Sequence, residues 1–132
     1  MEPQNTFDAQ IKGNGVIDQL GMAELASEFW KLLRAFERSA ALAPESARAR
    51  LAAQARYSSE RLASSLQKVG LRIVSFDGAQ FEVNLPAVAV NAEDIPSGET
   101  TVVERTLEPA VVADNGIILT GKVFVAASKH ED

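Results

Sequence analysis

The chain has no cysteine and only one histidine among its 132 residues. Without cysteine it has no disulfide, no thiolate nucleophile and no cysteine metal site. The histidine, His130, stands in the C-terminal run 129–132, where a frayed tail does not hold a general base in place. The glycines form no phosphate-binding motif of standard spacing. The residues therefore favour a protein that binds a partner over an enzyme, and they indicate no cofactor and no metal.

Long apolar runs are also missing. No stretch approaches the roughly 20 apolar residues that span a bilayer, and no basic segment followed by an apolar run marks a signal peptide. We therefore expect a cytoplasmic protein without membrane contact. The formal net charge of -5 argues against a general nucleic-acid binder, because such binding needs a basic patch.

The charge is uneven along the chain. Residues 22–68 carry eight Lys/Arg against five Asp/Glu, whereas residues 69–128 carry three against eight. A basic first half and an acidic second half can steer a partner of mixed sign, although ordinary solvated surface also explains the pattern.

The apolar period changes from about 3.6 to 2 between Leu66 and Val74, and Gly70 is placed to end a helix there. This change predicts an α+β chain in which a helical region precedes a small all-β domain. The predicted parts are a flexible arm over 1–18, the helical region over 19–70, the β domain over 71–128 and a tail over 129–132.

Two helices are predicted in the first region. The first begins near Gln19 and ends before Pro44, and a wide apolar stripe runs along it through Met22, Leu25, Phe29, Leu32 and Phe36. The second runs from about Pro44 to Val69 and is rich in alanine, which raises helix propensity. Its inward stripe is spaced 4-4-3-4-4-3, through Ala47, Leu51, Ala55, Ser58, Leu62, Leu66 and Val69.

These helices either pack within their own domain or form a bundle shared by two chains. The shared bundle is favoured, because a stripe this wide buries against more than one neighbour and few other apolar surfaces are available. We therefore expect a homodimer, with an interface formed by Met22, Leu25, Phe29, Trp30, Leu33, Phe36, Leu51, Ala55 and Leu62.

The second region reads as a compact antiparallel sandwich or barrel that folds separately from the helices. Asp77-Gly78 and Asn115-Gly116 are hairpin turn signals. The most apolar run is the last one, which should lie centrally in a sheet. Strands are predicted at 71–76, 81–90, 100–107, 110–113 and 117–127.

Several segments, in this order, resemble one known family. Leu32–Ser39 shares leucine, an apolar residue, glutamate and arginine with a helical motif of that family. Leu62–Val74 resembles its helix end, Phe81–Pro86 its Phe-Asp-Pro-Asn-Leu-His run, and Pro96–Glu104 its Pro-x-Gly and valine-rich strand. The family is GrpE, the nucleotide exchange factor of DnaK-type chaperones.

The resemblance implies a homodimer in which two helices per chain form a four-helix bundle and a β domain projects from each subunit. In this family the β domain wedges against the chaperone's ATPase domain and promotes ADP release. The implied partner contacts are Glu37 and Arg38, which match the helical motif and lie off the apolar stripe, together with positions expected to be exposed on the β domain: Phe81, Asn84, Leu119 and Val123.

This sequence also departs from the family pattern. Arg34 and Ala35 stand where the family has Asp and Asn, and the family's Gly-Tyr near Leu107, its histidine after Leu85 and its Arg-Pro before the last strand are missing. Partner surfaces often use such polar and aromatic positions. The alternative is therefore a dimeric helical adaptor or assembly protein without exchange activity.

Overall fold

The computed structural model describes the backbone of residues 15–128 and the side chains of residues 18–128. Helix α1 spans Gly15–Ala41 and helix α2 spans Glu45–Gln67. The helix therefore begins about four residues before the predicted start, so the end of the predicted arm is helical. The rest of that arm, 1–14, and the tail 129–132 with His130 lie outside the described residues.

The two helices form a hairpin joined by three residues. Pro44 is the residue before α2, and the Arg48 side chain donates hydrogen bonds to the backbone oxygen of Ala43, at 3.2 Å from Nε and 3.0 Å from Nη2. On α2, Ala55 and Leu66 of the inward stripe are each 2% exposed. The rest of that stripe is half-buried or exposed, so a single chain covers it only in part.

Within residues 15–128, six strands form two three-stranded sheets. In the first sheet the order is β1-β4-β5 and every pair is antiparallel; in the second the order is β2-β6-β3, with β2 parallel and β3 antiparallel to β6. A one-turn 3-10 helix lies at Ala92–Asp94. The strands are β1 Leu71–Val74, β2 Ala87–Ala89, β3 Thr101–Glu108, β4 Ala110–Ala113, β5 Gly116–Leu119 and β6 Gly121–Ala127.

The α+β class is confirmed, and β6 is central in its sheet as expected for the last run. Three strand predictions need correction. The predicted strand 117–127 is two strands that break at Thr120, and only Ala87–Ala89 of the predicted strand 81–90 is extended. Residues 83–86 turn instead; Phe81 and Leu85 pack half-buried on the second sheet's core, whereas Val83 between them is fully exposed. The all-antiparallel arrangement is wrong for β2 and β6.

Of the two predicted hairpin turns, one is a hairpin. β4 and β5 pair across Asn115-Gly116, with Ala113 opposite Gly116. Gly78 adopts φ +82°, the left-handed conformation that glycine tolerates best. The turn at Asp77-Gly78 nevertheless forms no hairpin, because β1 before it pairs with β4 rather than with the next strand.

Among residues 18–128 the hydrophobic core has two clusters, and one of them crosses the junction at Gly70. The first cluster joins the helices to the first sheet; the second lies around the second sheet. The boundary at Gly70 therefore divides secondary structure and does not divide the core. The first cluster contains Ala23, Ala26, Leu66, Leu71 and Val111; the second contains Phe76, Val103, Ala110, Val123 and Val125.

Candidate partner-binding surfaces

An apolar groove runs between the outer sides of α1 and α2. It consists of two adjoining depressions of about 490 and 540 Å³ that share Phe29 and Ser58. Large apolar side chains remain open to solvent along it: Leu25 is 65% exposed, Leu32 is 70% exposed and Tyr57 is 58% exposed. A contiguous apolar patch of this kind is typical of an interaction site. We call this surface the apolar groove; its most open side chains are Met22, Leu25, Phe29, Leu32 and Tyr57.

Most of the residues predicted at a dimer interface line this groove: Met22, Leu25, Phe29, Leu33, Phe36, Ala55 and Leu62. Ala55 is only 2% exposed, so it would add almost no area to an interface formed there. Leu51 is half-buried, and Trp30 lines a different surface. Leu32, a residue of the apolar stripe of α1, also lines the groove, although the predicted interface does not include it.

A second surface, the charged cleft, lies between the C-terminal half of α1 and strand β3. Its volume is about 750 Å³. The predicted contact residues Glu37 and Arg38 both line it and are exposed. The full lining is Trp30, Lys31, Arg34, Glu37, Arg38, Ala41, Asp77, Arg105, Thr106 and Leu107.

Asp77 and Thr106 fix the β side of the charged cleft. The backbone N–H of Thr106 donates to Asp77 Oδ1 at 2.7 Å, and the backbone N–H of Phe76 donates to Thr106 Oγ1 at 2.8 Å. The register of β3 against β6 shifts on both sides of Arg105-Thr106. The Thr106 N–H bonds to Asp77 at this irregularity. These two hydrogen bonds tie the loop after β1 to β3, so the wall of the cleft is held in one conformation.

Arginines dominate the open part of the cleft. The Arg34 guanidinium lies over the Trp30 ring at 4.4 Å from its centroid, and its Nη2 is 3.7 Å from Asp77 Oδ2. Arg105 lies over the Phe124 ring at 5.5 Å. Among residues 18–128, no carboxylate oxygen lies within 4 Å of a side-chain nitrogen of Arg38 or Arg105. Their charge is therefore open to a ligand.

Lys31 connects α1 to the β region. Its ammonium nitrogen lies 2.8 Å from Glu28 Oε2 and 3.3 Å from Glu108 Oε2. The ion pair with Glu28 raises the pKa of Lys31 above its ordinary value, the contact with Glu108 acts in the same direction, and partial desolvation acts against both. Glu108 also lies 4.0 Å from Lys122. Because these acids are already paired, they neutralise little of the arginine charge in the cleft.

The structure does not bring the predicted β contacts into either surface. Val123 is fully buried in the second core cluster, so its prediction as an exposed contact is wrong. Phe81 packs half-buried against that same cluster and Leu119 packs half-buried against the first one. Asn84 is exposed in the turns after Phe81.

The sequence reasoning missed the cleft residues Arg34, Asp77 and Arg105. The sequence predicts Asp77 only as part of a turn and marks Arg34 only as a departure from a family motif. The sequence does contain one signal for Arg34: it follows Trp30, the only tryptophan, by four residues, so the two side chains lie on the same face of a helix.

Comparisons with protein-family models, with curated proteins and with solved structures find no match for this chain. Within the part of the chain that the structure describes, no group of three or more His, Asp or Glu side chains is placed to hold a metal ion. Neither described helix combines the length and the apolarity that crossing a bilayer requires.

Proposed function

We propose that the protein is a GrpE-like co-chaperone: a homodimer that binds the ATPase domain of a DnaK-type chaperone and promotes ADP release. The observation that carries the proposal is the apolar groove, a helical-hairpin face with large side chains left uncovered by a single chain. The small β region that follows the hairpin agrees with the architecture that the sequence resemblance implies.

A second copy of the chain suits the apolar groove because helices of two hairpins can bury their stripes against each other. Leu25 and Leu32 are the most open leucines of α1, so they lose the most solvent contact when a second hairpin covers them. Full burial of a leucine contributes roughly 1.5–3 kcal/mol. A two-fold axis uses each position twice, so even a few such residues hold a dimer together at micromolar concentration.

The chaperone contact is assigned to the charged cleft, where Glu37 and Arg38 lie at the edge of α1 that faces β3. An exchange factor must prefer the open form of the ATPase domain, and by linkage it then weakens nucleotide binding by the same coupling free energy. The proposed activity therefore needs no bond-making residues in this chain.

The second candidate function is a dimeric adaptor without exchange activity. Arg34 favours it, because this residue occupies the middle of the charged cleft at the position where the family has an aspartate. A change from negative to positive charge there alters which partner the surface accepts.

The dimer is tested with Leu32→Glu, compared with Leu42→Glu in the loop between the helices. Leu42 is 88% exposed and outside the groove, so it controls for a charge placed at an open leucine. We expect Leu32→Glu to weaken dimerisation by at least about 100-fold in sedimentation, since two leucines per dimer are lost. A monomeric unmodified protein at micromolar concentration would contradict the proposal.

The exchange activity is tested by the release of labelled ADP from the DnaK-type chaperones of the source organism. The Glu37→Ala/Arg38→Ala double variant should lose the effect while its melting temperature stays unchanged. Arg56→Ala/Glu60→Ala on the exposed side of α2 removes the same pair of charges and should retain it. If the unmodified protein does not accelerate release, exchange is excluded, and a stable partner recovered in a pull-down would then favour the adaptor.

A further inference from the structure

We propose that the charged cleft binds an acidic peptide segment of a partner protein, with carboxylates on Arg34 and Arg38 and an apolar side chain against Trp30 and Leu107. The inference rests on the proposed function in taking this face of α1 as the partner surface. It adds the chemical class of what that surface recognises.

The charge balance of the cleft carries the first step. Three arginines line it, Arg34, Arg38 and Arg105, against the two carboxylates of Glu37 and Asp77. Lys31 also lines it, but its charge is already paired with Glu28 and Glu108. The chain as a whole has a formal charge of -5, so this cleft is a positive region on an acidic molecule. Such a region attracts a segment of opposite sign.

The acidic groups of the cleft are also engaged on the protein side. Asp77 accepts the Thr106 N–H at 2.7 Å through one oxygen, and Glu108 at the edge lies 3.3 Å from Lys31. The arginines have no comparable partners among residues 18–128, apart from the 3.7 Å approach of Arg34 to Asp77. Arginine binds carboxylates through two parallel hydrogen bonds, which gives it the geometry for this role.

Size and apolar lining favour a peptide over a free anion. A volume of about 750 Å³ holds several side chains, far more than one carboxylate or phosphate fills. Trp30, Ala41 and Leu107 supply an apolar wall beside the arginines. Tryptophan and arginine are the residues most often found at the energetic centre of protein interfaces. A nucleic-acid backbone is disfavoured, because its phosphates repeat along the strand and would meet the negative charge of the chain beyond the cleft.

Trp30 makes the cleft directly observable, since it is the only tryptophan of the chain. The probe is a short peptide of alternating aspartate and leucine with blocked ends, titrated at low salt while tryptophan fluorescence is recorded. The control peptide has asparagine in place of aspartate. We expect a saturable change with the acidic peptide only, and weaker binding as salt rises.

The site is assigned with Arg34→Gln/Arg38→Gln, compared with Arg56→Gln on the exposed side of α2. Loss of two charge-assisted contacts should weaken acidic-peptide binding by about tenfold or more, whereas Arg56→Gln should leave it unchanged. If the double variant melts at a lower temperature than the unmodified protein, Arg105→Gln on the β3 wall of the cleft replaces it, and it should also weaken acidic-peptide binding.

Three results would overturn the inference: no saturable fluorescence change, equal binding of the asparagine peptide, or displacement of the acidic peptide by an equal concentration of inorganic phosphate. The titration contains no chaperone, so its outcome is independent of ADP release. If the peptide binds but ADP release is not accelerated, the cleft assignment stands and the exchange function is excluded. If ADP release is accelerated but the peptide does not bind, the exchange function stands and the cleft assignment is excluded.

Discussion

Asn91 should be one of the most sensitive polar positions of the fold. Its side chain takes the place of a strand residue beside β6: the amide nitrogen donates to the Val125 backbone oxygen at 2.9 Å, and the amide oxygen accepts the Val125 N–H at 2.9 Å. The side chain continues the pairing of β2 past Val90, whose N–H donates to the Val123 oxygen at 3.0 Å. Asn91 is only 8% exposed, so water does not easily replace it.

Asn91→Ala therefore leaves one backbone donor and one backbone acceptor of Val125 without partners. Each buried unsatisfied group costs about 1–3 kcal/mol, so we expect a loss of about 2–4 kcal/mol. This is a large fraction of the roughly 5–15 kcal/mol by which domains are stable, and it corresponds to a melting temperature lower by about 10 °C. Urea unfolding followed by circular dichroism measures the change.

Two variants sharpen this measurement. Asn84→Ala, at an exposed turn position, should change stability by less than about 0.5 kcal/mol. Asn91→Asp can still accept the Val125 N–H, but its charged form places a second oxygen against the Val125 carbonyl. Burial raises the pKa of that carboxyl above about 3.9, the unfolded value, so the variant should be least destabilised below that pH and lose stability as the pH rises through the folded pKa. Equal stability of Asn91→Ala and Asn84→Ala would refute the reasoning.

Two further predictions concern packing and charge. Gly121→Ala should destabilise the protein by about 1–3 kcal/mol, because a Cβ at that position would lie 2.9 Å from the Ala110 backbone nitrogen and from the Glu108 backbone oxygen. Gly21→Ala in α1 should instead stabilise it by about 0.5–1 kcal/mol, since a Cβ at that position meets nothing within 4 Å. The pKa of Lys31 is raised in the folded protein, so its contribution is present below the unfolded pKa of about 10.4 and is lost as the pH rises through the folded pKa. The difference in urea stability between the unmodified protein and Lys31→Met should therefore shrink as the pH rises above the unfolded pKa of Lys31, and it should stay constant near neutral pH. A difference that changes between about pH 6 and pH 8 would contradict this prediction.

The helical half was predictable because its period is strong and its ends are marked. Pro44 and Gly70 bracket α2 in the sequence as they do in the structure, and Ala55 and Leu66 of its inward stripe are buried. The β half was less predictable because short strands give little periodic signal. Phe81, Val83 and Leu85 alternate with polar residues as a strand does, yet Pro86 follows and the segment turns.

The candidate surfaces were half predictable for a related reason. The apolar groove follows from the stripe of α1, since positions three and four apart lie on one helix face. The charged cleft does not, because it is assembled from α1, the loop after β1 and β3, and strand pairing sets which residues of β3 face the helix. No local pattern relates Arg34 to Asp77 or Arg105, which are 43 and 71 residues away along the chain.

Helix α1 connects these surfaces physically. Its outer side forms the apolar groove, Ala23 and Ala26 pack into the core shared with the first sheet, and Trp30 and Arg34 line the charged cleft. A second chain on the groove and an acidic segment in the cleft would therefore contact different sides of one rigid helix and would not compete. Ala23 and Ala26 share a core with Leu71 and Val111, so α1 is packed directly on the first sheet between these two surfaces.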